Sequence, residues 1–191
     1  GQIAVTMADY AANVWASPVL MRDYAQKLEQ FGAWVGGIVL FSGVFGTVVG
    51  GLSVDWGIKG KVKGGMLGGA ALFAVISVPT ALYPIMPNVA GFGWMLAVFL
   101  TSGAVSGMVT STAMSVLVPN DIRGVCIGAL IVAAAIIGIG VAPVLVTLVS
   151  SWMGGESQLR YALAVVGVVT SLLSAIGFIM RAIALMRLSS V

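Results

Sequence analysis

Apolar residues run along this chain in long unbroken stretches, not at every second or third position. Residues 30–54, 64–120, 124–155 and 161–180 contain no Asp, Glu, Lys or Arg. A helix needs roughly 20 apolar residues to cross a ~30 Å hydrocarbon layer. Backbone groups in lipid must bond within their own helix or around a closed barrel. A barrel would alternate apolar and polar positions over segments of ~10 residues. Runs such as IGALIVAAAIIGIGVAPVLVTLV do not alternate, so the pattern predicts helices. The stretch 64–120 is too long for one span, and Pro87-Asn88 with Gly91-Phe92-Gly93 offers turn chemistry near its middle. The expected spans are about 3–21, 31–54, 64–86, 93–118, 125–151 and 160–186. They make one all-α, polytopic membrane domain over residues 1–191.

Composition narrows the function. The 191 residues are 60% hydrophobic and 8% charged, with a mean hydropathy of +1.11. Ordinary soluble domains carry about 25% charged residues, so a soluble globular protein, a nucleic-acid binder and a disordered chain are excluded. There is no His and a single Cys, Cys126. A His-based active site and an internal disulfide are impossible, and a zinc cluster is not expected. The six carboxylates are scattered, so neither an enzyme nor a cofactor is expected. Cys126 reads as a small packing residue sooner than as a thiol or acylation site. The chain starts without Met and without a basic n-region, so Gly1 reads as an internal boundary and an incomplete chain is the working expectation.

Orientation follows from Lys and Arg near the span ends. Lys59, Lys61, Lys63, Arg123, Arg181 and Arg187 fall on one side, and Arg22, Lys27 and Arg160 on the other. The richer side is expected to be cytoplasmic, with both termini on it.

Inside the spans, Gly32/Gly36, Gly46/Gly50, Gly64/Gly68, Gly65/Gly69, Gly103/Gly107 and Gly124/Gly128 are small residues four apart. Such pairs let helices approach closely. Pro79 and Pro143 each remove a backbone donor and are expected to bend their spans. Asp9 is the one acid deep in a span, and a charge at that depth normally faces a cavity or a partner. Thr6, Asp9, Tyr10 and Asn13 follow helical spacing and are expected to share a face. That stripe reads either as a cavity wall for substrate or proton, or as a polar helix end close to water. Ser102, Ser106 and Thr110 form a second row, open to a lining role or to bonding their own i−4 carbonyls.

The approach GTVVGGLSVDWGIKGKVKGG holds Gly51, Asp55, Lys59 and Lys61 in an expected tight turn between spans. Gly-x-x-x-Asp at a span end, followed by a glycine-rich basic turn, resembles the loop signature of the major facilitator superfamily. Trp56 stands where that signature has a basic residue, and Ile58 where it has a glycine. Trp15, Pro18 and Arg22 resemble the family's seventh-helix end, and Pro119, Arg123 and Gly124 the approach to its eleventh helix. The final SQLRYALAVVGVVTSLLSAIGFIMRAIA is similar to a twelfth helix.

The resemblance implies the C-terminal half of a 12-helix bundle, from within helix seven to helix twelve. It implies secondary active transport of a small solute by alternating access, coupled to a proton or ion, in a bacterial inner membrane. The partners implied are the lipid bilayer and a missing N-terminal six-helix half. Asp9, Tyr10, Asn13, Ser102, Ser106 and Thr110 would line the substrate path. Gly51, Asp55, Lys59, Lys61 and Arg123 would form a cytoplasmic gating loop. A non-transporting six-helix scaffold or assembly subunit is the alternative.

Overall fold

A computed structural model describes residues 1–59 and 65–187; Lys61, Lys63 and Gly64 lie outside the described residues. Seven α-helices are found among the described residues: α1 (Gln2–Arg22), α2 (Leu28–Lys59), α3 (Gly65–Thr80), α4 (Val89–Leu117), α5 (Asn120–Ala135), α6 (Ala142–Trp152) and α7 (Leu159–Arg187). A π-helical turn, Ile136–Val141, joins α5 to α6, so Asn120–Trp152 is one continuous apolar rod. Among the described residues, five helical segments are long and apolar enough to cross a membrane: Leu28–Lys59, Leu67–Ile85, Val89–Leu117, Asn120–Trp152 and Glu156–Ala184. α1 has 21 residues but carries Gln2, Asp9, Tyr10 and Asn13, which lower its hydropathy. It lies against α4, α7 and the α5–α6 rod.

The packing repeats. α4 packs on α2 and α3, and α1 packs on the α5–α6 rod and α7. The first helix of each group of three therefore docks on the second and third of the other group. α1 also meets α4, and α3 meets α7. With the α5–α6 rod counted as one element, successive elements run in opposite directions, so the two triplets are inverted relative to each other, an arrangement found in secondary transporters.

Three loops meet at one end. Arg22 bonds Glu156 at 3.0 Å, and Arg160 lies 3.9 Å from Asp23 and stacks on the Tyr161 ring. The Tyr24 hydroxyl donates towards the Pro84 and Met86 carbonyl oxygens. Below it, Tyr24, Tyr83, Phe92 and Phe99 pack with ring centroids 5.0–5.7 Å apart.

Local chemistry moves several expected boundaries. α4 starts at Val89, not at 93, because Asn88 is a helix cap: its Oδ1 accepts the Gly91 N–H at 2.6 Å. Gly91 and Gly93 are thus in the helix, where Gly93 leaves room for the Trp34 ring. α2 starts at Leu28, where the Gln30 side chain accepts the Lys27 N–H at 3.0 Å. Pro79 does not bend the middle of its span; α3 ends one residue later, and a short 3₁₀ turn follows at Tyr83–Ile85. Pro143 does distort its rod. The Ala142 N–H bonds back to Ile137 O, and this wider π turn accommodates the proline.

Only some of the expected glycine contacts form. Gly46 and Gly50 face α4, where a Cβ on Gly46 would fall 2.6 Å from the Ala104 Cβ and 2.9 Å from the Thr101 carbonyl oxygen. Around Gly36, Gly68, Gly124 and Gly128 a Cβ would meet nothing within 4 Å.

Candidate functional site

The interior polar site is built where α1, α3, α4 and α7 converge. The Asp9 carboxylate lies directly over Gly103 of α4, where any side chain would overlap both carboxylate oxygens. Beside it is a cavity of about 10 Å³, room for roughly one water-sized sphere. Its polar lining is Asp9, Ser77 of α3, Ser102 and Ser106 of α4, and Ser171 and Ser174 of α7.

The hydroxyls divide into two kinds. Ser77, Ser102 and Ser106 donate to the backbone oxygens of Ala74, Val98 and Ser102 at 2.7–2.9 Å. Their protons are used up on their own helices. Ser171 and Ser174 are 1% and 0% exposed, and their Oγ atoms have no hydrogen-bond partner.

Asp9, Ser102 and Ser106 are therefore brought together, but inside the bundle, not on an open wall. Thr110 continues the α4 row and donates to Ser106 O at 2.8 Å. Tyr10 and Asn13 are exposed. The Tyr10 ring and the Thr6 methyl pack over Gly138 in the π turn, and Asn13 Nδ2 donates to the Asp9 backbone oxygen at 2.8 Å. The expected single polar stripe on α1 is thus split. Adjacent helical positions diverge by about 100°, and α4 and the π turn flank α1 at different angles. Ser77, Ser171 and Ser174 were not picked out from the sequence. The Ser171/Ser174 spacing of three was available as a signal, whereas Ser77 had no polar neighbour to mark it.

The gating residues also sit differently from expectation. Gly51, Asp55 and Lys59 are not in a turn; they form one i, i+4, i+8 row on the last turns of α2. Asp55 and Lys59 are exposed, while Gly50 and Val54 on the neighbouring face are buried. A Cβ on Gly51 would meet nothing within 4 Å. Arg123 is in the first turn of α5, not in a loop. Its Nη2 donates to Val118 O at 3.4 Å, and its Nε is buried without a partner. Among the described residues neither Asp55 nor Arg123 is in an ion pair. Lys61 lies outside the described residues.

Two further hollows lie away from this chemistry. An apolar cleft of about 540 Å³ opens between α2 and α4 beside Trp34 and Trp94, the latter 77% exposed. A cavity of about 220 Å³ lies beneath the Arg22–Glu156 pair, beside Trp15, whose Nε1 donates to Pro143 O at 3.3 Å.

No known family profile matches the chain, and no curated protein matches its sequence. Among solved structures it is similar to a bacterial homolog of the human lysosomal transporter Spinster, crystallised in an inward-facing and unoccupied conformation. The TM-score is 0.67 at 18% identity, and the match covers 100% of this chain and 46% of the other. The chain spans about half the length of that protein. It is an all-α polytopic membrane protein whose fold is similar to about half of that transporter's.

Proposed function

We propose that this chain is the C-terminal half of a secondary active transporter that moves a small solute by alternating access. The observation that carries this reading is the fold likeness over the whole chain to about half of a known transporter. The inverted triplets α1–α3 and α4–α7 support it, because such repeats place a substrate path at their interface near the bilayer midplane. Tyr10 and Asn13, exposed on α1, are the side chains of this half best placed on that path; Asp9, Ser102, Ser106 and Thr110 lie behind it.

Asp55 then has a mechanical role. The row Gly51–Asp55–Lys59 turns away from α4 and presents a carboxylate beyond the fold of this half. An N-terminal six-helix half is the proposed partner, with a helix end and the Arg123 region completing the closure on the cytoplasmic side. The C-terminus would share that side, in a bacterial inner membrane. The work is movement of a solute, with no bond made or broken.

The test is solute flux by the full-length protein reconstituted in proteoliposomes. Asp55→Asn is expected to lower the maximal rate about tenfold, within the usual range of a coupling between sites, while KM changes by less than about twofold. An unchanged rate removes Asp55 from the gate. No flux for any solute class tested removes the transporter reading.

A further inference from the structure

We propose that the Asp9 pocket is a binding site for a small monovalent cation of sodium size. Three observations converge on it. The first is charge. Asp9 is half-buried near the middle of α1, inside the bundle, and belongs to neither ion pair found among the described residues. A carboxylate there needs a compensating positive charge, and no Lys or Arg lines the cavity.

The second is the direction of the hydroxyls. Ser77, Ser102 and Ser106 have already given their protons to backbone carbonyls, so what remains free is lone pairs. Ser171 and Ser174 are buried and unpartnered on the facing helix, which leaves their oxygens free to turn towards the same point. Polar side chains that are all oxygen ligands, one of them a carboxylate, suit a hard cation, and a single negative charge balances a monovalent one. The third is size. About 10 Å³ admits one small sphere and no hydration shell. Gly103 is the device that lets the carboxylate reach this point, since any side chain there would displace it.

A bound cation would tie α1, α3, α4 and α7 together at one point. Binding stands independently of the transport reading; only a role as coupling ion rests on it.

The experiment is thermal melting of the purified full-length protein in NaCl, KCl or choline chloride at one pH and one ionic strength. Sodium is expected to raise Tm saturably by a few degrees, as ligand binding to the folded state requires, with potassium and choline inert. Asp9→Asn is expected to abolish the response. The Ser171→Ala/Ser174→Ala pair is expected to weaken apparent sodium affinity about tenfold, the order typical of lost metal-site partners. Should Asp9→Asn fail to fold, the serine variant and equilibrium binding of radioactive sodium to the unmodified protein decide the matter. Equal melting in all three salts overturns the site, as does a sodium response retained in Asp9→Asn. Stabilisation by acid with no sodium response also overturns it, making Asp9 a proton acceptor only. Sodium stabilisation without solute flux removes the transport reading and leaves the site; flux without a sodium response does the reverse.

Discussion

The two ends of this bundle are finished in different ways. At one end the connections between helices are tied to each other: Arg22 to Glu156, Arg160 towards Asp23, and Tyr24 to the carbonyls of Pro84 and Met86. At the other end, among the described residues, Asp55 and Lys59 project from α2 with no ion partner, and the Arg123 Nε is buried without a bond. Charges that are satisfied locally hold a shape. Charges left over at a helix end are available to whatever docks there. The difference gives structural work to the tied end and, on the proposed function, leaves the open end for the N-terminal half.

The largest expected effect that sharpens this contrast lies within one helix. Gly46 faces α4, where an added side chain would strike the Ala104 Cβ and the Thr101 carbonyl. Gly46→Val is expected to destabilise the protein by about 1–3 kcal/mol through overpacking. Gly51 lies five residues on, nearer the open end, with nothing of this chain against it. Gly51→Val is expected to leave the melting temperature within the range of a neutral surface change, roughly ±0.5 kcal/mol, while solute flux falls. Thermal melts of both variants beside flux measurements check this. Equal destabilisation by both would mean that α2 has no face reserved for a partner.

The membrane helices were legible because their signal is additive: some twenty apolar residues in a row leave few alternatives. What the sequence reading missed depended on single hydrogen bonds. Asn88 has the composition of a turn residue and is a cap, which moved the start of α4 by four residues. Asp55 was read into a turn, yet α2 continues to Lys59, so the motif is a row on a helix. At the polar site the residue types were visible and their directions were not. Asp9 and Tyr10 are neighbours in the chain, but one meets Gly103 and the other Gly138. Which way each turned was settled by the helices packed on either side of α1. Ser77 and Ser174 became visible as site residues only once α3 and α7 were brought to α1 and α4.

A middle-sized effect is expected at the tied end from Tyr24. Its hydroxyl holds two carbonyls of the 83–86 turn, and Tyr24→Phe leaves both without that donor, at a cost of about 1 kcal/mol. Burial pushes the Tyr24 hydroxyl above its ordinary value of 10, opposed by the nearby Arg160 and helped by Asp23. Because the folded value is the higher one, the neutral, donating form is favoured by the fold. Its contribution is complete below pH 10 and is lost as pH rises through the folded value. Melting above pH 10 should therefore narrow the gap between the unmodified protein and Tyr24→Phe. A gap that persists unchanged into alkali would place the cost in ring packing against Phe92 instead of in the hydroxyl.

The smallest expected effect comes from the shortest ion pair. Arg22 and Glu156 meet at 3.0 Å, but their side chains are 51% and 85% exposed. Water screens such a pair, and ordering two long side chains offsets much of what remains. A double-mutant cycle of Arg22→Ala and Glu156→Gln is expected to give a coupling of about 0.2–1 kcal/mol, shrinking as salt is added. A coupling near 2 kcal/mol that ignores salt would require the pair to be shielded from water in the whole protein. The tied end would then also be covered by another body, and the contrast between the two ends would fail at its more secure side.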